Sequence, residues 1–381
     1  MTRSVETAVA VWADRHLPVH AIADQARALA ASGVIDGVLL ADQLGNFIPP
    51  QLWTPQHTPM AALLGDADSH SDVFVMAGYL LASAPTLHMT ISTDSVRRPP
   101  AELVQAMLTL ANITEGHASF HVGGGEAKQL KPFGHKRAEG MVRMEDLFRI
   151  FRAFSENAGP IDYEGRRWKL EKASIGNAKP YRPRIYALGG GPQLIDHATS
   201  YADGLAFACP SVWSTPERFA AEREEILRQV ESKGRDPSEF RFAVWFPVLL
   251  ASDMRQLERA LDNSIVRWLA AVFGRIEHDR WEEDGLRSPL PDGWRYYEHL
   301  LPHDTPQSFI DDVLPKVTVE HVTKGWLCGT PAEVASQIRP YVDAGADWVC
   351  PMDYMPLVLD PAEAAAALRR SVDLCAAIKG A

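Results

Sequence analysis

Two runs of three glycines each follow an apolar, strand-like segment. Gly123, Gly124 and Gly125 come after His117–Val122, and Gly189, Gly190 and Gly191 come after Ile185–Leu188. Three successive residues without a Cβ bare a patch of backbone, so a flat ring or a phosphate can approach main-chain N–H groups directly. The first run closes on a carboxylate, Glu126. Similar positions, at the ends of other strand-like segments, hold Trp12, Asp14, Asp42, Gln43, Ser92, Thr93, Asp94, Phe207–Cys209, Trp245, Phe246 and Pro351–Asp353. Asp42, Asp94 and Glu126, with His57, His121 or His135 as partners, have the chemistry for proton transfer. The set has no lysine, which argues against Schiff-base chemistry. Ser92 lacks the Gly-x-Ser-x-Gly elbow of a nucleophile, and the His, Asp and Glu residues show no metal-ligand spacing. Neither glycine run completes the dinucleotide fingerprint, because Lys128 and Leu194 stand where a third small residue is required.

Each residue also has a plain structural role open to it. Glycine runs after strands are often only tight turns. Asp42 could cap the next segment, Glu126 could sit in a first helical turn favoured by the dipole, and His121 could be a satisfied interior histidine. Trp281 and Trp294 fit the core of an insertion.

The elements that must position these residues follow a regular rhythm. Strands are expected at Val5–Trp12, Gly37–Ala41, Leu87–Ser92, His117–Val122, Arg184–Leu188, Gly204–Ala208, Phe240–Leu250 and Trp348–Cys350. Helices are expected at Pro18–Ser32, Val73–Leu81, from Pro99, Arg137–Phe154, Gln193–Tyr201, Pro216–Lys233, Met254–Phe273, from Pro331, and Pro361–Ile378. Alternating β/α units imply a parallel sheet, and about eight of them point to a single (β/α)8 TIM barrel over residues 1–381. Active sites of such barrels lie at the carboxyl ends of the strands. Two stretches break the rhythm. Residues 45–71 are rich in proline and aromatics and read as an active-site excursion, whereas 274–323 read as an insertion over the barrel mouth.

A net charge of −11 disfavours nucleic acid or anionic membranes as partners. The four cysteines form no C-x-x-C and fit a reducing cytoplasm. No apolar run of about 18 residues is present, so no membrane insertion is expected.

Taken in order, Asp42-Gln43-Leu44, Ile91-Ser92-Thr93, Val122-Gly-Gly-Gly-Glu126 and Gly190-Gly191-Pro192 resemble the bacterial luciferase-like superfamily. Cys328-Gly-Thr-Pro-Ala-Glu-Val-Ala335 and Gly345-Ala-Asp-Trp-Val349 are similar to its last β/α unit. His121-Val-Gly-Gly-Gly-Glu126 looks most like the branch that depends on the deazaflavin coenzyme F420; flavin mononucleotide (FMN) monooxygenases, or a cofactor-binding relative that has lost catalysis, as the Gln43 replacement permits, are the alternatives. The resemblance implies a hydride-transferring oxidoreductase, often a homodimer. Ser92 and Thr93 would lie against the ring, where the family often has a non-prolyl cis peptide in a bulged strand. Gly123–Gly125 and Asp42 would touch the cofactor, and Gly189–Gly191 would hold its tail. Glu126 would move the proton, with His57 and Gln43 as further catalytic candidates. Gln43 replaces the histidine of several relatives and cannot titrate. Phe47 matches their tryptophan, and no lysine follows Ala208-Cys-Pro-Ser-Val-Trp213, which argues against a phosphorylated sugar. Phe47, Trp53, Trp245 and Phe246 suggest a small, apolar alcohol, ketone or activated alkene as substrate.

Overall fold

The computed structural model describes residues 5–380, without the side chains of His278 and Asp279. Eight parallel strands close on themselves: β1 (Glu6–Ala10), β2 (Gly37–Ala41), β3 (His88–Asp94), β4 (Ala118–Gly123), β5 (Arg184–Leu188), β6 (Gly204–Ala208), β7 (Arg241–Leu250) and β8 (Trp348–Asp353). Each pairs with the next, and the ring is completed by Glu6 against Trp348. Helices follow the strands on the outside, so the chain is the expected (β/α)8 barrel.

Side chains alternate across each strand. Val38, Leu40, Ile91, Phe120, Val122, Phe242, Val244 and Phe246 face outward into the large core beneath the helices. Ala8, Leu39, Tyr186, Ala206, Ala243, Trp348 and Cys350 fill the interior. His121 is also buried there. Its Nδ1 accepts a hydrogen bond from Trp245 Nε1 at 3.0 Å, and its ring lies 5.0 Å from those of both Tyr186 and Trp348. Burial pushes its pKa down to about 3, so it is a neutral, satisfied interior histidine.

Several elements depart from the sequence expectation. Met254–Phe273 is two helices, Met254–Asp262 and Ser264–Phe273, because the Asn263 side chain leaves the first and accepts from Ile265 and Val266 N–H to cap the second. The final helix is likewise split, into Pro361–Ala364 and Ala367–Lys379. An antiparallel hairpin, Ile161–Glu164 with Lys169–Ala173, interrupts the fourth crossover, and a short strand, Leu327–Gly329, extends alongside the end of β7.

A second hydrophobic core sits over the strand ends. Ile48 and Leu52 from the 45–71 excursion pack with Trp268 and Leu269 of the split helix, Leu300, Ile310 and Val313 of the 274–323 insertion, and Trp326. The excursion is also pinned by hydrogen bonds, from Trp268 Nε1 to Phe47 O at 2.9 Å, Asn263 Nδ2 to His57 O at 2.7 Å, and Gln51 Nε2 to Thr305 O at 3.0 Å. Its far end zips onto the loop after β1, where Asp14 and His70 form an antiparallel bridge. Excursion and insertion thus share one cap over the barrel mouth.

Candidate active site

At the end of β2, Asp42 is enclosed rather than open. Its carboxylate accepts from Thr93 Oγ1 at 2.7 Å and lies 3.1 Å from Arg97 and 3.4 Å from Arg98. Arg97 also pairs with Asp94, so Asp42, Thr93 and Asp94 form one buried charge network that fixes the β2 and β3 ends. The Gln43 Oε1 atom next to it is buried without a hydrogen-bond partner. Such an acceptor carries an unrelieved desolvation penalty until a donor reaches it. Ser92 pairs in register with Ala41 and His121, Thr93 pairs with Val122 without a register shift, and the only cis peptide among the described residues is Cys209–Pro210. The cis bond and bulge implied at Ser92–Thr93 are therefore not present.

The two glycine turns stand side by side, since β4 pairs with β5. Gly125 has φ +82°, and a methyl there would meet Leu130 Cδ1 at 2.6 Å; Gly189 has φ +142°. Gly190 is pressed against Val212, whose Cγ1 would lie 2.3 Å from an added methyl. Gly191 precedes the helix Pro192–Tyr201, whose first-turn N–H groups receive no side-chain cap. At Gly125, Gly189 and Gly190 the neighbouring side chains leave no room for a Cβ, whereas Gly191 faces open space.

Glu126 closes the first turn and forms an ion pair with Lys128, Oε2 to Nζ at 3.1 Å. The lysine is the enclosed partner, with 1% of its side chain exposed against 27% for Glu126. Lys128 also donates to Gly45 O at 2.7 Å and stands 3.9 Å from the centre of the Phe47 ring. Gln129 Oε1 accepts from Leu44 N at 2.6 Å. Two adjacent side chains after β4 thus clamp the β2 loop that carries Gln43 and Phe47. Desolvation lowers the lysine pKa, although Glu126 opposes the shift.

The Phe47 ring on which Lys128 packs also walls a cavity of about 110 Å³, together with Trp53, Trp12, Met60, Leu357 and Tyr354. Phe47 and Trp53 both line it. Trp245 points into the barrel interior, where its indole donates to His121 Nδ1. Phe246 does not reach the site. The two-residue alternation turns it outward, fully buried, with its ring 5.3 Å from Tyr341. His57 is absent from the cavity wall and His70 lines it instead, with Nε2 buried and unpartnered. The cavity's ionisable groups are driven toward neutral forms. Burial, reinforced by Lys128, lowers the pKa of His70 to about 4, whereas burial raises Asp14 and lifts Asp353 to about 7. Among the described residues no cluster of three or more metal-ligating side chains occurs, and no helix is long and apolar enough to cross a membrane.

Sequence reasoning missed Lys128 because it stopped at the strand end. It missed His70 because the excursion has no periodicity from which to trace its return.

The comparisons agree with this architecture. A phthiodiolone/phenolphthiodiolone dimycocerosates ketoreductase of Mycobacterium sp. (strain JLS) is 29% identical over 341 residues, covering 86% of this chain and 85% of that protein. An F420-dependent glucose-6-phosphate dehydrogenase of Kineococcus radiotolerans is 24% identical over 265 residues, 68% of this chain and 69% of the relative. Among solved structures, an F420-dependent secondary alcohol dehydrogenase in complex with an F420–acetone adduct superposes with a TM-score of 0.73 at 17% identity, covering 98% and 99% of the two chains, a likeness of fold. A family model described as luciferase-like monooxygenase matches residues 4–347, and the chain belongs to that family.

Proposed function

We propose that this protein is an F420-dependent oxidoreductase acting on an apolar alcohol, ketone or activated alkene. The observation that carries the reading is the largely apolar cavity walled by Phe47, whose ring packs on Lys128, the ion-pair partner of Glu126 at the end of the first glycine turn. When bound, the deazaflavin would accept or supply the hydride. The glycine turns and the unpartnered Gln43 Oε1 fit a flat ring that carries N–H donors. Glu126 would hold or release the proton at its carboxylate, and Lys128 would keep that carboxylate in place. Phe47, Trp53 and Tyr354 would exclude water and receive the apolar part of the substrate, since a largely apolar wall disfavours charge. Asp42 would act indirectly, by fixing Thr93 and the neighbouring loop. His57 does not line the cavity, and His70 would take its place as the histidine there.

The family's description as monooxygenases supports a second reading, FMN-dependent oxygen insertion. Titration of the apo-protein separates the two. Deazaflavin fluorescence should be quenched at low micromolar concentration or below, with FMN bound far more weakly; tight binding of FMN alone overturns the proposal. The proposed homodimer would use the outer face of the helix Val73–Ser83, where Val75 is 75% and Tyr79 40% exposed.

A further inference from the structure

Arg137 opens the short turn Arg137–Glu139, just before the long helix Gly140–Glu156. Its guanidinium lies against the first glycine turn. Methyl groups built on Gly140 and Gly124 would stand 3.1 and 3.7 Å from Nη1. The other side is covered by Tyr297, with 5.4 Å between Cζ and the ring centre. Nε is buried and has no hydrogen-bond partner.

The nearby carboxylates are already engaged. Glu139 Oε2 is 2.8 Å from Arg143 and 3.2 Å from Arg167, and Glu126 holds Lys128. Among the described residues no carboxylate forms an ion pair with Arg137. A cationic fork is thus kept at the mouth without a counter-charge, in a chain of net charge −11. Arginine presents two parallel donors suited to phosphate, and desolvated donors without a partner favour any anion that reaches them. The second glycine turn and the uncapped N–H groups of the helix Pro192–Tyr201 lie on the adjacent strand.

We propose that Arg137 binds the phosphate of the cofactor tail, giving the bare glycine backbone the charge it lacks. The inference rests on the mouth being a ring-cofactor site, but not on which ring binds. Both candidate rings exist with and without the phosphate: FMN against riboflavin, and F420 against its ribityl deazaflavin, which lacks the phosphate together with the acidic tail beyond it.

The test is fluorescence titration of wild type, Arg137→Met and Arg137→Lys with both members of the pair that the wild type binds. Arg137→Met should weaken the phosphate-bearing form on the order of tenfold to a hundredfold and leave the phosphate-free form within about twofold. Arg137→Lys should retain part of the difference. In the wild type, added salt should weaken only the phosphate-bearing form; this arm does not depend on how well the variants fold. Equal losses for both members, no loss for either, or a salt response shared by both would overturn the assignment while leaving the cofactor reading intact. If the wild type binds neither ring, the functional proposal fails and this one with it.

Discussion

The Glu126–Lys128 pair should respond asymmetrically to loss of its two members, because only one of them is sealed from water. Glu126→Gln removes the counter-charge of an ammonium whose side chain is 1% exposed. Breaking a buried pair in this way costs about 3–5 kcal/mol. Gly45 O, the Phe47 ring and the new amide oxygen remain as partners, which places the loss near 3 kcal/mol, the lower end of that range. Lys128→Met instead leaves a carboxylate with an open edge, free to hydrate. It forfeits a charged hydrogen bond to Gly45 O worth about 1.5 kcal/mol, partly offset by thioether packing on Phe47, for a net loss near 1 kcal/mol. The double variant should therefore be more stable than Glu126→Gln alone. The gap also depends on pH. Burial lowers the folded pKa of Lys128, so above that value the folded state binds fewer protons than the unfolded chain, and stability rises with pH. The Glu126→Gln deficit should shrink as pH climbs from neutral toward about 10, the range of an unfolded lysine. Urea unfolding of the apo-proteins near pH 7 and near pH 9.5 measures both effects. A Lys128→Met deficit equal to or larger than that of Glu126→Gln, or a gap that does not narrow with pH, refutes the reasoning.

Asp353 should give the opposite slope. Burial raises its folded pKa to about 7, so its contribution to stability is complete below the unfolded value and is lost as pH rises through about 7. Asp353→Asn should flatten that loss, by at most about 4 kcal/mol, and parallel urea midpoints across pH would count against it. Gly140→Ala would put a methyl 1.9 Å from Gly124 O, backbone against backbone, and should cost more than about 3 kcal/mol or prevent folding. Gly134→Ala, in open space at φ +80°, should cost only about 1 kcal/mol, and equal melting shifts would remove the packing argument. Val75→Asp should convert a dimer to monomer in sedimentation, whereas a wild-type monomer or an unaffected dimer would discard the proposed interface.

The barrel was legible because its strands are short apolar runs bounded by glycine, proline and charge, and its helices carry a 3.6-residue stripe. Gly37–Ala41, Arg184–Leu188 and Gly204–Ala208 match to the residue. What escaped lacks that signal. The hairpin strands Ile161–Glu164 and Lys169–Ala173 are charged and largely exposed, so no apolar alternation marks them. Asn263 lies inside one continuous helical pattern, and only its cap hydrogen bonds reveal the break. At the site, the strand ends could be listed but not their facing. Trp245 and Phe246 are neighbours in sequence and opposites in space. Lys128 and His70 were invisible for another reason: each matters through partners about 60 to 80 positions away in the chain, Gly45 for the lysine and Asp14 for the histidine.

The shared cap has a consequence for the order in which this molecule is assembled. His57 meets Asn263 and Gln51 meets Thr305 across separations of 206 and 254 residues. Contacts so distant in sequence form slowly, because loop-closure entropy opposes them until much of the intervening chain is in place. On a ribosome, the excursion that walls the cavity would emerge early and wait, with Ile48 and Leu52 exposed, until the insertion is synthesised. The cavity beneath the cap is therefore among the last parts of the protein to exist.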